Sequence, residues 1–195
     1  MRKIFLTSII ILLFDQILKF WVKTNMFLGQ EYPIFNWFII HFTENNGMAF
    51  GMEFGGFFGK TLLTLFRIIV VIVGIYYVKS IIKPNFSNGI LIALGLIIGG
   101  AIGNIIDSSF YGLLFNDSYN VIATLLPESG GYAPLLHGKV VDMLYFPLIN
   151  SHFPDWAPFW AGKHFIFFRP VFNIADTGIS VGIFMILLFY RKNFS

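Results

Sequence analysis

Residues 89–107 read GILIALGLIIGGAIGNIID, an apolar run of 19 positions whose one charged side chain is the last, Asp107. A helix of about 20 apolar residues crosses the hydrocarbon core of a bilayer. The run therefore predicts a membrane-spanning helix. Four glycines between positions 95 and 103 would let neighbouring helices approach it closely, and we expect packing to be their main role.

The whole chain has the composition of an integral membrane protein. Its 195 residues are 56% hydrophobic and only 12% charged, and 25 of them are phenylalanine. Lipid can cover apolar faces directly, whereas a soluble domain needs a charged coat. Cysteine is absent, which excludes disulfides, thiolate nucleophiles and cysteine metal sites. The net charge of +3 comes from scattered basic residues, so it indicates membrane topology rather than nucleic-acid binding.

Three further stretches approach the length of a membrane span, which predicts one membrane domain over residues 1–195. Basic residues near the ends of these stretches, such as Arg2, Lys83 and Arg191, place both termini in the cytoplasm. Two long external loops follow from that topology. We also expect the protein to be a monomer. The predicted spans are about 4–22, 61–82, 89–107 and 171–190, and the loops are 23–60 and 108–170.

Both loops are rich in Phe, Trp and Tyr, which prefer the headgroup zone of a bilayer. Residues 34–43 read IFNWFIIHFT, a β-prone run that ends at a turn sequence. We therefore predict a mainly α membrane fold of four transmembrane helices. A small extracytoplasmic β-sheet and an interfacial loop and helix region complete it.

Polar side chains fall at one depth of this predicted bundle. Three of the spans carry a polar pair spaced three or four residues apart, and thus on one helix face, near the external end. The pairs are Asp15 with Lys19, Asn104 with Asp107, and Asn173 with Asp176. Because intramembrane carboxylates are costly, their common depth predicts a shared polar site. Asp142, in the loop before the fourth span, can reach the same interface.

Each polar residue also has a structural interpretation. Asp15 and Lys19 can neutralise each other as an ion pair, and we favour that role over catalysis. Asp176 could simply cap a helix, whereas Asp107 at a helix carboxyl end needs a specific partner. Asn45 and Gly47 could form only a turn. The four histidines share no metal-site spacing, which favours surface or interfacial roles.

Five short motifs occur in order along the chain: FDQILK (14–19), NNGMAFG (45–51), GGAIGNIID (99–107), VVD (140–142) and FNIAD (172–176). Together they resemble the motif series of the bacterial lipoprotein signal peptidases, also called signal peptidase II. The resemblance spans nearly the whole chain. Five motifs in the right order on a four-helix topology are highly specific.

The resemblance implies an intramembrane aspartic endopeptidase of the bacterial inner membrane. Such enzymes remove the signal peptide of a prolipoprotein by cutting before a diacylglyceryl-modified cysteine. By this resemblance Asp142 and Asp176 form the catalytic dyad, working among membrane lipids without metal or other cofactor, and the cyclic peptide globomycin blocks it. The positions that match substrate-contacting or dyad-supporting residues are Asp15, Lys19, Asn45, Gly47, Asn104, Asp107 and Asn173.

Two features depart from the family pattern. Ser108 stands where the family usually has arginine, and Arg169 or Lys139 are candidates to replace that cation. The stretches 108–139 and 145–170 are also unusually long, and we expect them to form an aromatic external lid or platform.

A small transporter or proton-relay protein is the alternative function, since intramembrane Asp, Lys and Asn can relay ions. That alternative expects polar residues through the full membrane depth. The second predicted span is nearly all apolar below Arg67, and the fourth is apolar below Asp176. The sequence therefore favours the peptidase.

Overall fold

Four helices form the body of the protein, which a computed structural model describes over residues 1–47, 56–82, 86–156 and 158–193. The helices are α1 (Arg2–Asn25), α2 (Gly56–Ile81), α3 (Asn88–Ile106) and α4 (Ile174–Met185). α3 lies at the centre and packs on both α1 and α4, while α2 packs chiefly on α3.

Within the described residues, three helices are long and apolar enough to cross a membrane: Arg2–Asn25, Gly56–Ile81 and Asn88–Leu114. Ile174–Tyr190 is a shorter apolar helix. Its 17 positions rise about 25 Å, somewhat less than the hydrocarbon core of about 30 Å. The predicted class, a mainly helical membrane protein with a small sheet, is confirmed.

The predicted helix boundaries need two substantial corrections. The third span does not stop at 107, because a wider π-helical segment, Asp107–Tyr111, and a last turn, Gly112–Leu114, continue it. The fourth span begins at Ile174 rather than 171, because Val171–Phe172 is a β-strand and the next residue caps the helix. The second external loop is shorter than predicted because the extension after α3 outweighs the later start of α4, and the first is shorter because α1 extends to Asn25 and α2 begins at Gly56.

The main sheet has four antiparallel strands in the order β1-β2-β3-β6. Its strands are β1 (Glu31–Phe35), β2 (Phe38–Asn45), β3 (Val140–Tyr145) and β6 (Val171–Phe172). A separate hairpin pairs β4 (Ile149–His152) with β5 (His164–Phe167). The single strand predicted at 34–43 is thus two strands, separated by the tight turn Asn36-Trp37.

Small residues on α3 explain the close helix packing. A Cβ atom on Gly99 would lie 2.6 Å from the carbonyl oxygen of Ser8 in α1, and one on Gly100 would lie 2.3 Å from that of Ala175 in α4. Both separations are too short for a side chain, so only glycine permits the observed approach. The predicted packing role of the glycines fits this geometry.

Two apolar clusters lie at opposite ends of the bundle. One joins the last turns of α1 to the sheet and to residues 111–123, and it includes Met26, Phe42 and Met143. The other includes Ile4, Val78 and Ile90. Ser87 caps α3 by accepting a hydrogen bond from the backbone of Ile90, while residues 83–85, between the second and third predicted spans, lie outside the described part.

Candidate active site

A cavity of about 640 Å³ opens where the sheet meets α2, α3 and α4. Asp142 and Asp176 both line it, together with Asn45, Asn104 and Arg67. Glu44 also lines it, so the wall contains three carboxylates, two amides and one guanidinium. Residues from five separate segments of the chain meet in this one space.

Asp142 lies in β3, where the strand pairing places it opposite Thr43 of β2. Asp142 is 4% exposed, and its carboxylate is held from two sides. Asn173 Nδ2 donates to Asp142 Oδ1 over 2.7 Å, and Asn45 Nδ2 donates to Asp142 Oδ2. Hydrogen bonds to both oxygens fix the plane of the carboxylate within the cavity.

Asp176 lies in the first turn of α4. Asn173 caps this helix, because its Oδ1 accepts a hydrogen bond from the Asp176 backbone N–H over 2.8 Å. Asn104 Nδ2 then donates to Asp176 Oδ1 over 2.7 Å. The positive end of the helix dipole also favours an anion at this position. The N-cap is Asn173 rather than Asp176, so capping does not account for Asp176, which lies in the first turn and lines the cavity.

The two carboxylates interact electrostatically. Burial, and after it the negative charge of Asp176, raise the pKa of Asp142 to about 7. The hydrogen bonds from the two asparagines act in the opposite direction but do not cancel burial. A carboxyl group with a pKa near 7 can hold or release a proton at neutral pH.

Behind the cavity lies a buried ionic cluster formed by Lys19 and two carboxylates. Lys19 Nζ is 2.8 Å from Asp15 Oδ2 and 2.8 Å from Asp107 Oδ2, and all three side chains are at most 1% exposed. The expected Asp15–Lys19 pair is present, and Asp107 has the specific partner that its position required. Lys19 also donates to Asn104 Oδ1 over 2.9 Å, which orients the amide that contacts Asp176.

Both acids of this cluster also hold the backbone beside a cavity carboxylate. Asp15 Oδ1 accepts from the N–H of Ala175, the residue before Asp176, over 2.8 Å. Asp107 Oδ2 accepts from the N–H of Val141, the residue before Asp142, over 3.2 Å. The cluster therefore positions both carboxylate-bearing segments from behind.

Gly47 lies at the rim of the cavity and makes a contact that fixes Arg67. Its φ of +91° is in the left-handed region that favours glycine. Arg67 Nη2 donates to the carbonyl oxygen of Gly47. The N–H of Gly47 donates in turn to Asn45 Oδ1. The remaining residues of this motif, 48–51, lie outside the described part of the chain.

Three residues near the site were not among the sequence candidates. Gln16 Nε2 donates to Asp107 Oδ1 over 2.9 Å, and Tyr111 donates its hydroxyl hydrogen to Gln16 Oε1 over 3.2 Å. Arg67 lines the cavity near enough to Asp176 to interact with its charge. An arginine within an otherwise apolar span was the signal for this third residue.

The proposed replacements for the missing arginine do not reach the buried cluster. Lys139 Nζ lies 3.4 Å from Glu44 Oε2, and Arg169 is exposed. Ser108 is 1% exposed and its hydroxyl makes no hydrogen bond to the described residues. The cation in the cavity is Arg67, which comes from α2.

The histidines lie away from the cavity. His41 Nδ1 is 2.6 Å from Glu31 Oε1, and the rings of His152 and His164 are 5.3 Å apart across β4 and β5. His137 contacts Thr61 of α2. Over the described ranges, no three His, Asp or Glu side chains are grouped as metal ligands.

The helices, sheet and buried carboxylates define a multispanning membrane protein with a paired-acid site. The family model "Signal peptidase (SPase) II" matches residues 7–191. The chain belongs to this peptidase family.

Similar proteins support the same assignment. A lipoprotein signal peptidase from Porphyromonas gingivalis (strain ATCC 33277) is 50% identical over 188 residues, covering 96% of this chain and 82% of the relative. One from Amoebophilus asiaticus (strain 5a2) is 41% identical over 191 residues, covering 95% and 76% respectively.

A solved structure described as a bacterial membrane enzyme, obtained by the in meso method at 2.3 Å resolution, shares the fold. Its TM-score is 0.65 at 23% identity, and the match covers 100% of this chain and 91% of that one.

Proposed function

We propose that the protein is an aspartic endopeptidase that removes the signal peptide from diacylglyceryl-modified prolipoproteins, cutting before the lipidated cysteine. Membership of the signal peptidase II family supports peptidase activity on lipoprotein signal peptides. The observation that carries the aspartic assignment is the meeting of Asp142 and Asp176 in one cavity, with the pKa of Asp142 raised to about 7. Family membership also favours this function over the transporter alternative.

The chemistry follows from one proton shared by two carboxylates. Two nearby acids do not ionise together easily, so near neutral pH one is protonated and the other is charged. The ionised carboxylate takes a proton from water as that water attacks the peptide carbonyl carbon. The protonated carboxyl donates its proton to the carbonyl oxygen, and a tetrahedral intermediate forms.

The side chains around the two carboxyl groups suit these two roles, one ionised and one protonated. Asn45 and Asn173 hold Asp142 on both oxygens, while Asn104 holds one oxygen of Asp176. Within the described residues the other oxygen of Asp176 accepts no hydrogen bond, which leaves it for water or substrate. Arg67 supplies positive charge on the same wall, where it would stabilise developing negative charge on the substrate oxygen.

The proposed membrane orientation places the cavity near the outer face of the bacterial inner membrane, with both termini in the cytoplasm. A signal helix in the bilayer and lipid chains in the outer leaflet would then bring the lipidated cysteine to the dyad. Globomycin is proposed to bind in the same cavity.

The test is a gel-shift cleavage assay on a purified diacylglyceryl-modified prolipoprotein, with and without globomycin. Asp142→Asn and Asp176→Asn should each abolish cleavage, because neither variant can complete the shared-proton cycle. The matched control is Asp155→Asn, which removes an exposed carboxylate between β4 and β5 and should cleave like the wild type. Wild-type turnover in either dyad variant, with folding verified by thermal unfolding, would refute the dyad.

A further inference from the structure

A second cavity, also about 640 Å³, lies between α1, α2 and α3, where the first turns of α1 approach the last turns of α2. It shares no lining residue with the candidate active site. Apart from Arg2, Lys79 and Ser8, its lining side chains are hydrophobic. The Ser8 hydroxyl donates to the carbonyl oxygen of Gly95, so its hydrogen is already used within the protein.

The cavity exists because α2 stands apart from α1 over this part of the bundle. α2 packs chiefly on α3, and its buried residues are Thr64 and Val78. The resulting gap is bounded by α1 on one side and by Ile98 and Ile102 of α3 at its base. In a bilayer such an apolar gap is filled by hydrocarbon, since water there would leave its hydrogen bonds unmade.

The depth of the gap matches one leaflet. Its lining on α1 runs from Arg2 to Leu12, ten residues along the helix. At 1.5 Å per residue this is about 15 Å, half of the hydrocarbon core of about 30 Å. A single acyl chain that entered at the membrane surface would reach the inner end of the gap near mid-bilayer.

The mouth of the gap is basic. Arg2 and Lys79 both line it and both are exposed, and no acidic side chain is among its described lining residues. Lys3, which follows Arg2, donates instead to Asn88 of α3 and so lies on another face. Two cations at the surface end of an apolar slot complement a headgroup that carries negative charge.

We propose that this cavity is a binding site for an anionic phospholipid, with one acyl chain between the three helices and the phosphate against Arg2 and Lys79. The bound lipid fills the space between α1 and α2 and so completes the bundle. The site is separate from the dyad, and the proposal does not depend on the proposed function.

Lipid retention by the purified full chain in detergent tests this site. Native mass spectrometry would compare dioleoyl phosphatidylglycerol with dioleoyl phosphatidylcholine, which has the same chains and no net charge. The wild type should retain phosphatidylglycerol on the order of tenfold better, because two basic side chains favour the anionic headgroup. The double variant Arg2→Gln/Lys79→Gln should lose that preference.

Two further variants separate the headgroup contact from the slot. Lys163→Gln/Arg169→Gln removes the same charge from exposed positions near β5 and should keep the preference. Ile98→Trp, or Ile9→Trp if the first fails to fold, should fill the slot and lower retention of both lipids. Equal retention of the two lipids by the wild type, or an unchanged preference in Arg2→Gln/Lys79→Gln, would overturn the proposal. Displacement of phosphatidylglycerol by glycerol phosphate alone would overturn it too, because the slot would then contribute nothing.

Discussion

Asn173 holds Asp142 by a 2.7 Å hydrogen bond from its side-chain amide to the carboxylate Oδ1. The same side chain caps α4 through its oxygen, which accepts from the Asp176 backbone over 2.8 Å. One asparagine therefore connects the strand that carries one acid to the helix that carries the other. Its two functions, capping and positioning, can be separated by substitution.

Asn173→Ser should keep the cap and lose the contact with Asp142. Serine is about as good an N-cap as asparagine, so Asn173→Ser should keep the share of stability that the cap contributes. A hydrogen bond to a charged group contributes about 1.5–3 kcal/mol, so turnover should fall by about 10- to 100-fold. Asn173→Ala is the comparison variant, and it should lose about 1 kcal/mol of stability as well. Equal unfolding temperatures for the two variants would argue against the capping role.

Stability should depend on pH through Asp142. Its pKa is about 7 in the folded protein, against 3.8 for an unperturbed aspartate. Between about pH 4 and 7 the folded state therefore holds a proton that the unfolded state has released, so stability falls as the pH rises. The slope is at most about 1.4 kcal/mol per pH unit.

Asp142→Asn removes this titration and supplies the measurement. The free energy of unfolding, determined in mixed detergent micelles from pH 4 to 8, should fall less steeply for the variant than for the wild type. The difference should grow up to about pH 7 and then level off. Parallel curves would show that Asp142 is not the group responsible.

The sequence could predict that the two acids of the proposed dyad lie together because topology and motif order both constrained them. It also anticipated the Asp15–Lys19 pair, since residues four apart on a helix face one another. The second partner of Lys19, Asp107, depends on how α1 and α3 are rotated against each other, which no spacing within one helix encodes. For a related reason, the sequence could not predict that Arg67 faces the cavity. α2 is apolar on every face, so its sequence does not indicate which face points inward.

Local backbone structure was harder to predict than the convergence of polar groups. The hairpin turn Asn36-Trp37 lacks glycine, so residues 34–43 gave the pattern of one strand. α4 begins at Ile174 because Asn173 adopts an extended conformation and caps the helix. The hydrogen bond of one side chain within an apolar run therefore sets this boundary. The contacts of residues 108–139 depend on tertiary packing and were not predictable from composition.

Gly103 should be intolerant of substitution because it packs against the buried ionic cluster. A Cβ atom there would lie 2.7 Å from Asp15 Oδ2 and 3.3 Å from the Cβ of Ala175. Gly103→Ala should therefore lower stability by about 1–3 kcal/mol and reduce turnover by shifting the start of α4. Thermal unfolding and the cleavage assay measure the two effects.

Gly74→Ala is the matched control, since Gly74 lies in α2 and a Cβ there meets nothing within 4 Å. Its unfolding temperature should stay unchanged or rise slightly, because alanine favours helix over glycine. A Gly103→Ala protein as stable and active as Gly74→Ala would contradict the close contact at Asp15.

Lys23 should connect the long segment after α3 to the wall of the candidate active-site cavity and so stabilise that wall. Its ammonium is fully buried, pairs with Glu44 and donates to Ser118 Oγ over 2.7 Å. Three aromatic rings surround it, those of Phe42, Phe115 and Tyr132, with the last centroid 4.9 Å away. Glu44 lines the active-site cavity, so this cluster holds β2 beside Asn45.

Lys23→Met should cost about 3 kcal/mol or more, because the carboxylate of Glu44, 3% exposed, then keeps only its longer ion pair with the partly exposed Lys139. Lys139→Met is the matched variant: it removes the same charge from the same glutamate, but from a side chain that is 33% exposed and 3.4 Å away. Solvent screens that pair, so the loss should stay below about 1 kcal/mol. Unfolding curves of the two variants in one detergent measure the two losses of stability. Equal losses would mean that burial of Lys23 does not make its ion pair the stronger of the two.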